Sequence, residues 1–277
     1  MASEKSLAIV LRVTEYSETS CIVNLLTREF GRIGAIAKGA RRPKSPFSAA
    51  IDVLAVCEVV FINKPSALSV LTEAKLERRF RAGETDLKRL YAGYYVIELI
   101  RTLTDEGDPT PELFDLTREM LVQLDEGIFS ENEMNHRLLQ FELSLLDLLG
   151  QLPMLTRCVS CGREKTMLSE VNFGLNAGGV LCQTCRRGKP NVVQVSSVGF
   201  QSLLDLVGAQ IGQQESNSDN WNRADQIKER RVRSWAAKKT QPSSSGDLSE
   251  IRELIKLYIT HLLGYSPKLY SFMKQVF

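Results

Sequence analysis

Two Cys-x-x-Cys pairs, CVSC at 158–161 and CQTC at 182–185, constrain the folding of this 277-residue chain more than any other feature. Each pair turns two thiolates toward one point in space, and four thiolates together suit a tetrahedral ion, with zinc the obvious choice. Four cysteine ligands close the coordination sphere and leave no place for an activated water. Cys158, Cys161, Cys182 and Cys185 therefore point to structural Zn2+. The segment EVNFGLNAGGVL before the second pair sets an Asn/Gly-rich turn between two apolar runs, as in a zinc-ribbon hairpin. About thirty residues bury too little apolar surface to fold alone, and structural zinc contributes roughly 10–16 kcal/mol at neutral pH. Thiol redox chemistry, another metal and an empty site are the alternatives for such pairs. Cys21 and Cys57 sit inside apolar stretches and read as core. This cysteine usage fits a reducing cytoplasm better than a secreted disulfide framework.

The hydrophobic period changes once along the chain. LAIVLRV from Leu7, then CIVNLLT, RIGAIAK, VLAVCEVVFI (53–62) and ALSVLTEAKL (67–76) alternate as strands with one buried face. Five short strands in about eighty residues match a small OB-type barrel. Beyond Arg81 the spacing becomes helical, predicting helices over 85–104, 111–125, 131–149, 197–212 and 248–263. Thr110-Pro111, Ser130-x-x-Glu133 and Asp247-x-x-Glu250 supply start signals. The expected class is α+β multidomain. An N-terminal OB-type β-barrel (1–80) precedes an α-helical domain (81–277) carrying an inserted four-cysteine zinc-ribbon-like motif at 158–187. Residues 213–247, poor in branched apolar side chains, read as a flexible insertion. Within them QIKERRVRSWAAKK fits a solvated basic helix or a second nucleic-acid or partner contact.

The net charge of +2 hides an uneven distribution. Residues 1–80 hold 12 Lys/Arg against 8 Asp/Glu, and residues 81–220 hold 12 against 20. A basic front and an acidic middle suggest a polyanion partner for one surface and different partners for others. The stretch KGARRPKSPF (38–47) concentrates Lys38, Arg41, Arg42 and Lys44 among turn residues, between the third and fourth strands. Its prolines resist helix formation and collapse into the sheet, which keeps the charges outside. OB barrels bind single strands through a positive groove and aromatic rings. These four residues are thus the expected nucleic-acid contact, with Arg12, Arg32, Arg78 and Arg79 as candidate extensions and Phe30, Phe47 and Phe61 as nearby stacking or core residues.

No GxxxxGK[ST], HExxH or GxSxG motif occurs. The two histidines, His136 and His261, have no sequence-near ligand set, so no enzyme is expected. The first twenty residues lack an apolar signal region, and no uninterrupted apolar run approaches membrane-spanning length.

The run LTREFGRIGAIAKGARRPKS, the helical middle, the four cysteines and the late LIKLYITHLLGYSPKLYS together resemble the bacterial recombination mediator family RecO over nearly the whole chain. The resemblance implies an OB-type N-terminal domain, a helical C-terminal domain with the zinc motif, and work in RecF-pathway DNA repair in the cytoplasm, associated with the nucleoid. It implies binding of single- and double-stranded DNA, annealing of complementary strands and, with RecR, exchange of single-strand-binding protein for RecA, without enzymatic turnover. A site for the C-terminal tail of single-strand-binding protein is implied on the helical domain, with Lys256 and Lys268 as candidates. Many relatives carry a Leu-Lys-Ser-Arg-like motif where this chain has SPKLYS, which keeps a comparable charge only at Lys268. From the residues alone, a generic OB/zinc-ribbon RNA- or DNA-binding factor and a protein-interaction scaffold remain open.

Overall fold

The computed structural model describes residues 3–45, 47, 50–64, 67–164, 170–211 and 248–276. Five strands, β1 (Ser3–Glu15), β2 (Cys21–Thr27), β3 (Gly31–Ala37), β4 (Val56–Ile62) and β5 (Ser69–Arg78), close into a barrel in the order β1-β2-β3-β5-β4. All pairings are antiparallel except β3 with β5, and β1 is long enough to pair with both β4 and β2. This is the OB-type barrel that the period of two predicts. Alternate residues enter the interior: Ala8 and Val10, Cys21, Val23 and Leu25, Ile33, Ala35 and Ala37, then Cys57, Val59 and Phe61. Burial pushes the Cys57 thiol up to about 12, as a core position requires. Ile9, Leu11 and Leu26 are buried too, although they alternate out of phase with the interior residues. Helices α1 (Leu87–Leu103) and α2 (Pro111–Glu126) contact β1, and α2 also contacts β2, which explains why LAIVL reads as a continuous apolar run.

Several polar contacts join these helices to the barrel. The Arg28 guanidinium donates to both carboxylate oxygens of Asp115 at 3.0 Å. Asp125 accepts from the backbone N–H groups of Arg81 and Ala82 and from Arg78 at 2.7 Å. Burial opposes ionisation of Asp125, but these donors outweigh it and hold its pKa below the usual carboxylate value. Gly31 has φ 65°, and a Cβ there would lie 2.2 Å from the Asp108 carbonyl oxygen, so no side chain fits between β3 and the α1–α2 connection.

The change of period at 81 and the division into compact units are different boundaries. One compact unit comprises residues 1–128 together with 268–277, and the other comprises 129–267. The last helix, α6 (Leu269–Val276), belongs to the first unit. Glu98 of α1 accepts from the N–H groups of Lys268 and Leu269, Tyr95 bonds Tyr270 through their hydroxyls at 2.9 Å, and Tyr91 stacks on Phe272.

In the second unit, α3 (Glu131–Leu148) starts with the predicted Ser130/Glu133 capping box. A three-stranded antiparallel sheet follows in the order β7-β6-β8, built from β6 (Glu170–Gly174), β7 (Gly179–Leu181) and β8 (Val192–Ser196). Helices α4 (Ser197–Ile211) and α5 (Ser249–Leu263) pack against it. The sheet is therefore part of a larger core, and Phe173 meets Tyr258 of α5 edge to face at 5.7 Å. Of the Asp247/Glu250 pair, only Glu250 falls among the described residues. It accepts from the N–H and hydroxyl of Ser196, whose hydroxyl in turn accepts from Gly199 N–H at the start of α4. The 213–247 insertion also lies outside the described residues.

Candidate metal centre and nucleic-acid interface

The four cysteines converge. The Sγ atoms of Cys158, Cys161, Cys182 and Cys185 all lie within 4.8 Å of one another, and Cys161 to Cys182 is 3.9 Å. Zinc–sulfur bonds of about 2.3 Å in a tetrahedron imply sulfur separations of about 3.8 Å, so the residues fit a closed four-thiolate metal site. Backbone bonds shape both knuckles: Gly162 N–H donates to Cys158 O, Arg186 N–H to Cys182 O, and Cys185 N–H to Cys182 Sγ. The first knuckle is tied to β7 by Val159 N–H on Val180 O, while the second follows β7 directly. Gly179 makes this possible. A Cβ there would lie 2.3 Å from the Met154 carbonyl oxygen, where Met154 bridges the hairpin.

Burial works to raise the Cys158 thiol, but N–H groups of Cys182, Ser160 and Cys161 aim at it and bring it down to about 6. Backbone donation from Cys185 likewise lowers Cys182, whereas hydrogen bonding to Cys182 and Cys161 pushes Cys185 up to about 12. The N–H donors thus favour thiolates at Cys158 and Cys182, while a full set of four needs a cation to compensate their mutual repulsion. Sequence reasoning missed one support: Arg186 donates to the buried Asn172 at 2.6 Å, fixing the second knuckle to β6. An asparagine inside an apolar strand was the available signal.

The basic connection leaves the barrel after β3. Lys38, Arg41, Arg42 and Lys44 are exposed, while Ala40 and Phe47 insert into the barrel core. The same ten residues therefore carry both the charges and their anchor. Arg41 pairs with Glu15 at 3.0 Å, and its backbone N–H donates to Thr19 O, joining the connection to the β1–β2 turn. Lys38, Arg42 and Lys44 have no ion pair among the described residues. Lys44 has φ 65°, a left-handed conformation uncommon for a lysine.

The further candidates separate. Arg12 and Arg79 are exposed, with no ion pair among the described residues. The Arg78 guanidinium is held by Asp125 and Glu126, and Arg32 donates to the Arg101 carbonyl at 2.7 Å, so both brace the barrel against its helices. Phe47 and Phe61 are core, and Phe30 packs edge-on against Phe61 at 5.3 Å, which removes all three as stacking platforms. Lys256 pairs with Glu253, and Lys268 is exposed at the start of α6; the two belong to different compact units. His136 is half-buried, and desolvation lowers its pKa. No described helix is long and apolar enough to cross a membrane.

Residues 1–80 match the family described as Recombination protein O N terminal, and residues 84–230 match Recombination protein O C terminal. A DNA repair protein RecO of Rhodopirellula baltica is 44% identical over 202 residues, covering 72% of this chain and 73% of its own. A namesake in Bacillus pumilus is 33% identical over 199 residues, with 72% and 75% covered. Another in Listeria monocytogenes is 31% identical over 212 residues, with 74% and 80% covered.

Proposed function

The chain belongs to the recombination protein O family, and from that premise we propose that it is a DNA repair mediator that holds DNA on the basic connection of its barrel. The observation carrying this reading is the exposure of Lys38, Arg42 and Lys44 on a segment fastened by Ala40 and Phe47 into a closed barrel. A fixed positive surface neutralises phosphates without paying to order a mobile loop. It accepts single- and double-stranded DNA alike, because phosphates carry no sequence information. Lowering the repulsion between two strands lets complementary bases pair, so annealing proceeds without nucleotide and without any bond being made or broken. Arg12 and Arg79 extend the surface.

In this reading residues 1–80 are the nucleic-acid module and residues 81–277 the helical module. Cys158, Cys161, Cys182 and Cys185 hold zinc, which supplies structural cross-linking only. With RecR, the protein assists exchange of single-strand-binding protein for RecA. The helical module receives the acidic tail of single-strand-binding protein, with exposed Lys268 a better candidate than Lys256. The work takes place in the cytoplasm, at the nucleoid.

The test is annealing of complementary oligonucleotides, bare or coated with single-strand-binding protein, without nucleotide and with or without RecR. Annealing in these conditions is expected; failure in all of them sinks the mediator reading. The combined Ala variant of Lys38, Arg41, Arg42 and Lys44 is expected to lose most DNA affinity and to flatten the salt dependence. Wild-type behaviour from that variant removes the connection as the contact. Preference for RNA without annealing would favour a generic OB and zinc-ribbon factor.

A further inference from the structure

We propose that Tyr16 is the base-stacking residue of the barrel, covered by an unpaired base of a single strand whose phosphates lie on Lys38, Arg42 and Lys44. This inference rests on the phosphate-contacting reading of the basic connection and adds to it a means of telling single from double strands.

A barrel that holds a single strand combines cations for the backbone with an aromatic face for the bases. Phe30, Phe47 and Phe61 cannot supply that face, being core or packed on core. Among the described residues of the barrel, Tyr16 is the exposed aromatic side chain, at 61%. It lies in the polar turn Tyr16–Ser20 between β1 and β2. Among the described residues no aromatic ring packs on it.

The turn is held in place. Tyr16 and Ser17 N–H both donate to Ser20 O at 3.1 Å, and Ser20 N–H donates back to the Ser17 hydroxyl. Arg41 then fastens it to the basic connection twice, through its N–H on Thr19 O and its guanidinium on Ser17 O, and pairs with Glu15 at the end of β1, just before the turn. Arg41 thereby acts as a positioning residue between ring and cations, and it neutralises the carboxylate nearest in sequence to the ring. A ring on a pre-ordered turn loses little freedom when a base stacks on it. A duplex, whose bases are already stacked, offers the ring nothing, whereas phosphates of either form satisfy the lysines and arginine.

The experiment measures anisotropy of labelled oligo(dT), an abasic oligonucleotide of equal length and a duplex, binding to the full chain across salt concentrations. Tyr16→Ala is expected to weaken oligo(dT) binding about 5- to 150-fold, with the salt slope unchanged and with abasic and duplex binding as wild type. Tyr16→Phe and Tyr16→Trp are expected to retain affinity, since the face and not the hydroxyl is used. Wild-type oligo(dT) binding by Tyr16→Ala overturns the proposal, and so does an equal loss on all three ligands. If the quadruple Ala variant of the connection loses binding while Tyr16→Ala does not, the phosphate-contacting reading survives and the stacking alone fails.

Discussion

The barrel and the cysteine ribbon are both small, mostly antiparallel sheets, yet they become stable by different means. The barrel closes on itself, so its strands share one interior of small and branched side chains around Phe61. The ribbon has strands of five, three and five residues and cannot close. Its apolar face is covered by α4 and α5, and its far end is gathered by four thiols. Closure lets a sheet supply its own core, whereas an open ribbon needs support from outside, here helices on its face and a cluster of four thiols that could hold a metal at its end.

The most drastic way to break the comparison is chelation. If the four thiolates hold zinc as proposed, removing it withdraws up to roughly 10–16 kcal/mol of binding free energy. Hydrogen exchange is expected to quicken first around 158–164 and 182–186, with the barrel still protected. Unchanged exchange at both knuckles after metal removal would show that the helices alone hold the ribbon. Phe61→Ala probes the other side. Opening a cavity in the closed barrel should cost about 3–5 kcal/mol in urea unfolding, with metal content per chain unchanged.

A smaller effect is expected where barrel and helices are joined. Asp125→Asn leaves Arg78 and the Arg81 and Ala82 N–H groups with a neutral acceptor, a loss of about 1.5–3 kcal/mol. Because Asp125 ionises more readily folded than unfolded, its contribution is present above the unfolded carboxylate pKa and disappears as pH falls through the lower folded value. The variant should therefore flatten the acid limb of the stability curve, and a wild-type acid limb would count against this coupling. On folding, the smallest change is expected from Lys38→Ala, within about 0.5 kcal/mol, although the single-strand salt slope should fall by roughly 0.7.

Period and spacing made much of this legible. Five strands, five helices, the Ser130/Glu133 box and the convergence of the four cysteines all follow from residue patterns a few positions long. What escaped depends on partners far along the chain. Phe47 reads as stacking or core until the barrel end is there to receive it, and Arg78 reads as a candidate nucleic-acid contact until Asp125 reaches it. Glu250 suits a local cap, yet it binds Ser196 from another element. Strand β8 is five residues running straight into α4, and α6 is eight, too short for periodicity to separate either from its neighbour. Tyr16 shows the converse limit: its place in a polar turn is visible in EYSETS, but its attachment to the basic connection is not.

The return of α6 to α1 has a consequence for synthesis. Glu98, Tyr95 and Tyr91 leave the ribosome long before Lys268, Tyr270 and Phe272, the residues that complete their packing. The first unit must wait, with part of α1 uncovered, while the 139 residues of 129–267 are made between its two pieces. Once both are present, closing so long a loop costs only slightly more entropy than closing one half its length. The nascent chain is therefore most vulnerable to proteolysis and aggregation in the interval before residues 268–277 emerge.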